Sequence, residues 1–422
     1  MTDRYPLVGR QRGPLGAAGT AAGTAEVEDA RHGSLRLRDL VSGQLERLAE
    51  VAGLPPADAE TYTGAVADAL GPVAERSLAL PPASPSFLSD DHTPVEFSLA
   101  FVPGEAPGLR VLLEPGHASP DLAGNGRAGL AAIHAMAERW QFGTGQLDLL
   151  ADLFLPPDPE GPLALWCALE LRPGGVPGVK VYLNPAANGA DRAAETLREA
   201  LDRLGHHQAF DTLPAGDGYP FLALDLGDWQ TPRVKVYVAH RALTAEDAGS
   251  LAPGASPQEQ QRMRAFFRTV SGFPAPGGDF AASLDPAGPS TLDLLGATGN
   301  DADRLFRGRA LTCHAFTETV TGLPSGYTLH VPLREYVGDD ALARDRTVAV
   351  LRSHGMDADA LDRALAAVTS RRLSDGVGLV AYVALVHQRG RQPRATVYVS
   401  SEAYAVQPPR TGAARARHPV GR

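Results

Sequence analysis

Ten short segments with strand-like apolar patterns come along the chain in five pairs, and this pairing limits the fold more than any other feature. Within each pair a few residues rich in Gly and Pro separate the two segments, as in PGEAPG at 103–108. Such linkers are typical of β-hairpin turns. The ten segments occupy residues 94–102 and 109–115, 163–172 and 179–185, 221–228 and 233–240, 313–320 and 327–333, and 378–388 and 394–401.

Segments with a helical apolar period separate the hairpins. In GRAGLAAIHAMAERW at 126–140, for example, apolar residues recur every three or four positions, as expected for a helix that packs one face on a sheet. The same period is found at residues 37–54, 144–154, 190–205, 258–270, 341–355 and 357–368. The chain is therefore predicted to repeat an α-β-β-α unit about five times, and residues 271–305 are predicted to form a long loop.

The strand segments each have one apolar and one polar face. In VKVY, which occurs at 179–182 and again at 234–237, the valines point to one side and the lysine and tyrosine to the other. If helices cover the valine face, a closed barrel directs the polar face into a lumen and removes exposed sheet edges. We therefore predict an α+β fold, a ten-stranded antiparallel β-barrel with a solvent-filled lumen and a surrounding ring of α-helices.

Composition limits the domain organisation and the class of partner. A single barrel domain is predicted at 34–406, with disordered tails at 1–33 and 407–422. The net charge of −10 argues against nucleic-acid binding, and no apolar run reaches the roughly 20 residues that cross a bilayer. With two cysteines, no disulfide framework, clustered zinc site or signal-peptide pattern, a cytoplasmic protein is predicted.

Basic side chains and tyrosines accumulate on the predicted lumen face. The cations are Arg110, Lys180, Arg233, Lys235 and Arg394, and the tyrosines are Tyr182, Tyr237 and Tyr398. Clustered cations repel one another unless an anion joins them, and arginine with lysine suits a diphosphate. Tyrosine rings attract a ligand cation by about 0.5–2 kcal/mol each. This combination predicts the ionisation of an allylic diphosphate to a carbocation that the rings shield from water.

The sequence contains two Asp-Asp pairs, which are candidate metal ligands. Metal-dependent prenyl chemistry commonly uses DDxxD to hold magnesium on the diphosphate, but neither Asp90-Asp91 nor Asp339-Asp340 completes that motif. Basic side chains in place of a metal are consistent with this, so no metal and no other cofactor are predicted, and Asp90-Asp91 are predicted to shape the loop before the first strand. A non-catalytic barrel that binds an anionic small molecule is the alternative, and it leaves the tyrosines unexplained.

The order of these motifs resembles a known family. SFLSDDHTPVEFSLAF at 86–101, LRVLLEP, VKVYLNP, RVKVYVAH and VYVSSEAY are similar to segments of the dimethylallyltryptophan synthase family of indole prenyltransferases, which have the ABBA barrel fold. The resemblance covers roughly residues 35–406. It is strongest to the bacterial tryptophan prenyltransferases, including those directed to C6 of the indole.

The resemblance implies roles for individual residues. Glu96 matches the glutamate that hydrogen-bonds the indole N–H, and Phe87 and Leu88 match the backbone that holds the amino-acid end of tryptophan. The five cations match the diphosphate ligands, and the three tyrosines match the carbocation shield. His330 stands where fungal relatives have tyrosine, and is assigned either to the diphosphate or to a base. Trp166 is assigned either to stacking on the indole or to core packing.

The resemblance also implies the reaction. It predicts the metal-independent transfer of a dimethylallyl group from dimethylallyl diphosphate to the indole of L-tryptophan, with C6 as the expected position. An indole derivative, a cyclic dipeptide, a phenol or a naphthalene is the alternative acceptor. The expected partners are these two substrates alone, without nucleic acid or membrane, for a monomer or a homodimer.

Overall fold

Ten antiparallel strands close into one barrel, which confirms the predicted fold. The computed structural model describes residues 35–241, 243–252, 254–272 and 309–410. Sequential strands are neighbours throughout, and pairing of β1 with β10 closes the ring. The strands are β1 Val95–Phe101, β2 Gly108–Leu113, β3 Leu165–Glu170, β4 Gly178–Leu183, β5 Leu222–Asp225, β6 Arg233–His240, β7 Ala310–Phe316, β8 Gly326–Val331, β9 Val380–Gln388 and β10 Arg394–Ser400.

Helices between the hairpins surround the barrel. In the described part of the chain they are α1 Leu37–Val51, α2 Pro56–Leu70, α3 Leu122–Trp140, α4 Gly145–Asp148, α5 Ala151–Phe154, α6 Ala193–Arg203, α7 Ala245–Ser250, α8 Pro257–Ser271, α9 Asp340–Ser353 and α10 Ala358–Val368. Helix α8 begins with a capping box in which Ser256 and Glu259 exchange hydrogen bonds. Every segment with a predicted helical period contains at least one of these helices, whereas α2 and α7 were not predicted.

The main apolar core lies between the barrel and the helices. The outward faces of the strands supply valines and leucines such as Val181, Val236 and Val397, all fully buried. Phe266 and Phe267 of α8 are among the helix residues that join this core. The valines of both VKVY segments therefore face the helices, and period 2 directs the lysines and tyrosines into the lumen.

Several sequence predictions fall at the limits of the described residues. Most of the predicted long loop, the N-terminal tail up to residue 34 and the tail from residue 411 lie outside them. At the start of the predicted C-terminal tail, Gln407 forms a β-bridge with Val377, and Arg410 donates its backbone N–H to Gly338. Among the described helices, none combines the length and the apolar character that a membrane span requires.

Candidate active site

The two ends of the barrel carry different side chains. Odd-numbered strands run towards the hairpin turns and even-numbered strands run back, so the first residues of even strands lie at the turn end. Arg110, Lys180, Lys235 and Arg394 occupy the first half of their strands, whereas Glu96 is the second residue of β1 and lies at the opposite end. The lumen is therefore basic near the turns and carries an acid near its other mouth.

The predicted cations lie close enough to affect one another. Burial, followed by the charges of Lys235 and Arg110, holds the pKa of Lys180 well below its usual value. Burial also lowers the pKa of Lys235, and the charges of Arg110 and Arg394 lower it further. Arg233 is more peripheral, with 43% of its side chain exposed and its guanidinium 4.6 Å from the ring centre of Trp229. Such a cluster offers an anion several donors in a site largely removed from water.

Two carboxylates that the sequence analysis missed lie among these cations. Glu170 accepts a hydrogen bond from Arg110 at 3.0 Å and one from Arg172 at 2.7 Å. Asp225 forms an ion pair with Lys180 and lies 3.6 Å from Nε of Arg233. Strand register places each acid directly opposite its cation, since Arg110 pairs with Glu170 and Lys180 with Asp225.

These acids correct the expectation that only an external anion compensates the charge of the lumen cations. The sequence could have indicated both acids. On the first strands of their hairpins, alternation places Glu170 on the same face as Trp166 and Asp225 on the same face as Ala223. Burial alone would raise the pKa of Glu170, but Arg110 and Arg172 lower it to about 2. Glu170 is therefore an anion at neutral pH.

A row of aromatic rings follows the cations. Ring centres lie 6.0 Å apart for Tyr182 and Tyr237, 5.5 Å for Tyr237 and His330, and 5.8 Å for His330 and Tyr398. Tyr382, which was not predicted, extends the row at 6.4 Å from Tyr398. Burial raises the pKa of Tyr182 and of Tyr382 to about 12, so these rings are neutral phenols at neutral pH.

His330 lies within this row. Its Nε2 is 3.2 Å from the Tyr398 hydroxyl, and burial together with the charge of Lys235 lowers its pKa to about 3. The imidazole is therefore neutral across the physiological range. With so low a pKa it is a weak base, and of its two assigned roles the contact with an anion suits it better.

Glu96 lies at the far mouth with 6% of its surface exposed. Burial raises the pKa of this carboxyl to about 8, with Arg334 opposing the shift and Asp90 adding to it. On β1 it lies between Ser400 of β10 and Leu112 of β2. A carboxyl with this pKa changes protonation near neutral pH, a property that is frequent in functional sites.

The wall beside Glu96 is apolar and aromatic. A second apolar cluster, separate from the core under the helices, includes Leu88, Trp166, Phe221 and Tyr237, with Phe87 packed against it. The ring centres of Trp166 and Phe221 are 5.3 Å apart. Trp166 therefore belongs to the lumen wall, which supports the acceptor alternative over packing under the helices. Phe221 was missed although it begins the predicted segment 221–228, because only the second strands of the hairpins were compared.

The loop that presents Phe87 and Leu88 is fixed by Asp91. This carboxylate accepts hydrogen bonds from the hydroxyls of Ser89 and Thr93, at 2.7 Å each, and from the backbone N–H of Tyr404 at 2.9 Å. The predicted turn-shaping role is thus confirmed for Asp91. Its neighbour Asp90 instead faces the Nε of Arg334 at 3.2 Å.

Arg334 is the largest omission of the sequence analysis. It lies in a short 3-10 helix, Leu333–Glu335, just after β8, and is 7% exposed. Its guanidinium is 5.1 Å from the ring centre of Tyr382, and its Nε also lies 3.8 Å from Glu335. Among the described residues, none hydrogen-bonds its two terminal nitrogens. No periodic pattern marks Arg334, because it lies beyond the end of β8 at Val331.

The second Asp-Asp pair is structural. Asp339 caps α9 by accepting the N–H of Leu342, and Asp340 accepts hydrogen bonds from Arg371 and the N–H of Gly378. Within the described ranges, no group of three or more His, Cys, Asp or Glu side chains has the arrangement of a metal site. The residues that the structure gathers in the lumen are instead cations with two paired carboxylates, phenols and, at the other mouth, the buried Glu96.

The chain is similar to a known protein family and to several solved structures. The model of a family described as tryptophan dimethylallyltransferase matches residues 44–251. The prenyltransferase PriB, solved in a ternary complex with L-tryptophan and dimethylallyl thiolodiphosphate, is 62% identical, and the match covers 90% of this chain and all of PriB with a TM-score of 0.79.

Two further solved structures differ in the position named for prenylation. The 5-dimethylallyl tryptophan synthase from Streptomyces coelicolor, in complex with DMASPP and Trp, is 55% identical over 90% of this chain and 98% of its own, with a TM-score of 0.78. The 6-dimethylallyltryptophan synthase from Micromonospora olivasterospora, with the same ligands, is 38% identical over 89% of this chain and 100% of its own, with a TM-score of 0.74.

Proposed function

The chain belongs to the tryptophan dimethylallyltransferase family, and we propose that it transfers a dimethylallyl group from dimethylallyl diphosphate to the indole ring of L-tryptophan. One observation carries this proposal. Basic side chains, a row of aromatic rings and a buried glutamate follow one another along a single lumen. This order matches the donor's diphosphate, its allylic carbon and the acceptor's N–H.

The donor half of the reaction is the loss of diphosphate. The allylic C–O bond breaks and its electron pair leaves with the diphosphate, whose charge Arg110, Lys180, Lys235 and Arg394 stabilise. The chain's own cations supply the charge that a metal supplies elsewhere, and we propose that no metal is required. Arg233, half exposed at the rim, contacts the diphosphate on entry.

The rings hold the allylic cation before it is captured. Tyr182, Tyr237 and Tyr398 offer π faces to the cation, and His330 bridges Tyr237 and Tyr398. Because the phenols stay neutral, the cation meets no phenolate that would trap it. The closed wall of rings also keeps out water, which would give the alcohol instead of the prenylated product.

The acceptor half uses Glu96. In its ionised form this carboxylate accepts a hydrogen bond from the indole N–H, which increases the electron density of the ring as a carbon attacks the allylic cation. The new C–C bond leaves an arenium ion, which passes its ring proton to the released diphosphate and becomes aromatic again. Trp166 and Leu88 line the indole pocket, and the backbone at Phe87 and Leu88 holds the amino-acid end.

We propose C6 as the position of attack, following the motif resemblance and the 6-directed relative. C5 is the second candidate, because the 5-directed relative has the higher identity, 55% against 38%. Both carbons belong to the benzenoid ring. The two candidates therefore share one binding mode of the N–H and differ by a small rotation of the indole in the pocket.

The function is tested by incubating the protein with L-tryptophan and dimethylallyl diphosphate, with and without EDTA. We expect a product heavier by one dimethylallyl group, at the same rate in both samples, with proton NMR locating the new bond at C6. Abolition by EDTA would contradict the metal-free mechanism alone. Absence of product with L-tryptophan, but turnover of another indole or a phenol, would contradict the acceptor.

Arg334 provides a reason for an amino-acid acceptor. Its guanidinium lies beside Glu96 and Asp90 at the acceptor mouth, with terminal nitrogens that the described residues leave without hydrogen bonds. We propose that these nitrogens bind the carboxylate of L-tryptophan. The Arg334→Gln variant should therefore lose about 30-fold in kcat/KM for L-tryptophan, the scale of about 2 kcal/mol for a buried charged hydrogen bond.

The control for this prediction is a trimmed substrate. Tryptamine lacks the carboxylate, so the same variant should change its kcat/KM by less than about threefold. Equal losses for tryptophan and tryptamine would show that Arg334 only supports the fold of the mouth. The melting temperature of the variant checks that the pairing with Asp90 can be lost without unfolding.

A further inference from the structure

The two lumen carboxylates each have two cationic partners. Glu170 faces Arg110 inside the barrel at 3.0 Å and the exposed Arg172 at 2.7 Å. Asp225 pairs with Lys180 inside and lies 3.6 Å from the peripheral Arg233. In both cases one partner is a proposed diphosphate ligand deep in the lumen, and the other, Arg172 or the peripheral Arg233, lies nearer the surface.

This arrangement is built by the sheet. Arg110 lies opposite Glu170 on β2 and β3, and Asp225 of β5 lies between Lys180 of β4 and Arg233 of β6 in one cross-strand row. Side chains in such positions have Cβ atoms about 4.5–5.5 Å apart. The ion pairs therefore follow from strand register, and a change of side-chain rotamer alone would not remove the acids from the site.

The acids compete with the ligand. A diphosphate needs the nitrogens of Arg110 and Lys180, which pair with Glu170 and Asp225 in this structure. Two anions beside an incoming anion also repel it. If the acids turn to Arg172 and Arg233, the lumen cations become free for the diphosphate, and both carboxylates remain paired.

We propose that Asp225 and Glu170 are resident counter-anions that the diphosphate displaces from Lys180 and Arg110, and that they return to those cations when the product diphosphate leaves. The acids thus limit the affinity for diphosphate and speed its release. Without them, the same cations would retain the product. The inference rests on the proposed donor site, but it concerns binding and release and does not depend on which acceptor is prenylated.

Inorganic pyrophosphate tests this inference without prenyl transfer. Its affinity is measured by calorimetry and its dissociation rate by stopped flow, for the wild type, Asp225→Asn and Glu170→Gln. We expect each variant to bind pyrophosphate about tenfold more tightly, mostly through slower dissociation, as is typical when a competing charge is removed. In turnover, pyrophosphate should also become a stronger product inhibitor of both variants.

The control is Asp211→Asn, which removes an exposed acid paired with Arg198 at 3.0 Å, away from the lumen. It should bind pyrophosphate as the wild type does. Unchanged or weaker binding by both lumen variants would overturn the inference, since the acids would then merely position their cations. If Asp225→Asn does not fold, the half-exposed Glu170 decides the question alone.

Failure of the proposed function looks different. Suppose that both variants bind pyrophosphate more tightly than the wild type, but the wild type prenylates no aromatic substrate. The counter-anion inference would then stand, and the proposed prenyltransferase activity would be wrong. If instead the wild type forms prenyltryptophan and neither variant binds pyrophosphate more tightly, the activity would stand and the counter-anion inference would be wrong.

Discussion

Glutamine in place of Glu96 is expected to lower kcat/KM for L-tryptophan by about 100-fold or more, the scale on which removal of one stabilising group in an active site acts. The amide keeps the size of the side chain but does not accept the indole N–H as an anion does. The fold should be unaffected. Steady-state rates at saturating dimethylallyl diphosphate, with circular dichroism of the variant, are the measurements.

The pH dependence gives this prediction a signature of its own. Because the carboxylate is the accepting form and burial raises its pKa to about 8, kcat/KM of the wild type should rise with pH and level off above about 8. This rise of kcat/KM with pH should be absent in Glu96→Gln. A wild-type profile that is flat between pH 6 and 9, or a variant with near-normal rates, would contradict the role of Glu96.

The stability of the folded wild type should decrease with pH over the range in which its activity rises. The folded-state pKa of Glu96 lies above the ordinary value of 4.5, so between these two values the folded protein holds more protons than the unfolded chain. Its contribution to the free energy of unfolding therefore decreases as pH rises from about 4.5 to about 8. Glu96→Gln removes this loss, and its melting temperature should exceed that of the wild type at pH 9 but not at pH 4.

Replacing Lys180 and Lys235 together by methionine is expected to lower kcat/KM for dimethylallyl diphosphate by about a thousandfold or more, since two buried charges on the leaving group are removed. The matched control is Arg391→Gln, an exposed cation on the turn between β9 and β10, which should keep the wild-type rate. Initial rates at varied donor concentration measure both variants.

Melting curves at neutral pH check that the double variant is folded, because removal of Lys180 leaves Asp225 with the peripheral Arg233 as its ion-pair partner. A variant that turns over dimethylallyl diphosphate at near wild-type efficiency would show that the diphosphate leaves from elsewhere.

The fold could be predicted because its signals are local. Alternation in segments such as VKVY sets the two faces of a strand, and the Gly/Pro turns fix the hairpins, so ten antiparallel strands and the helices that cover them follow. Helix α2 was missed because its buried face consists mainly of small residues, such as Ala59 and Ala65, which give a weak apolar period.

Strand periodicity indicated lumen residues only on the strands that were compared, whereas the roles of Glu96, Phe87 and Leu88 came from the family resemblance. Lys180 and Lys235 were found because the second strands of the hairpins were compared with one another. Glu170, Asp225 and Tyr382 have the same alternation but lie on first strands. Arg334 could not be found in this way, since a 3-10 turn brings it beside Glu96 and Asp90 across some 240 residues of sequence.

A crystal structure with L-tryptophan and a thiolodiphosphate analogue of the donor tests the central claim most directly, that donor and acceptor meet inside this lumen. The account predicts diphosphate oxygens on Arg110, Lys180, Lys235 and Arg394, the allylic chain beside Tyr182 and Tyr237, and the indole N–H donating to Glu96. A diphosphate bound outside the barrel, or an indole whose N–H points away from Glu96, would contradict it.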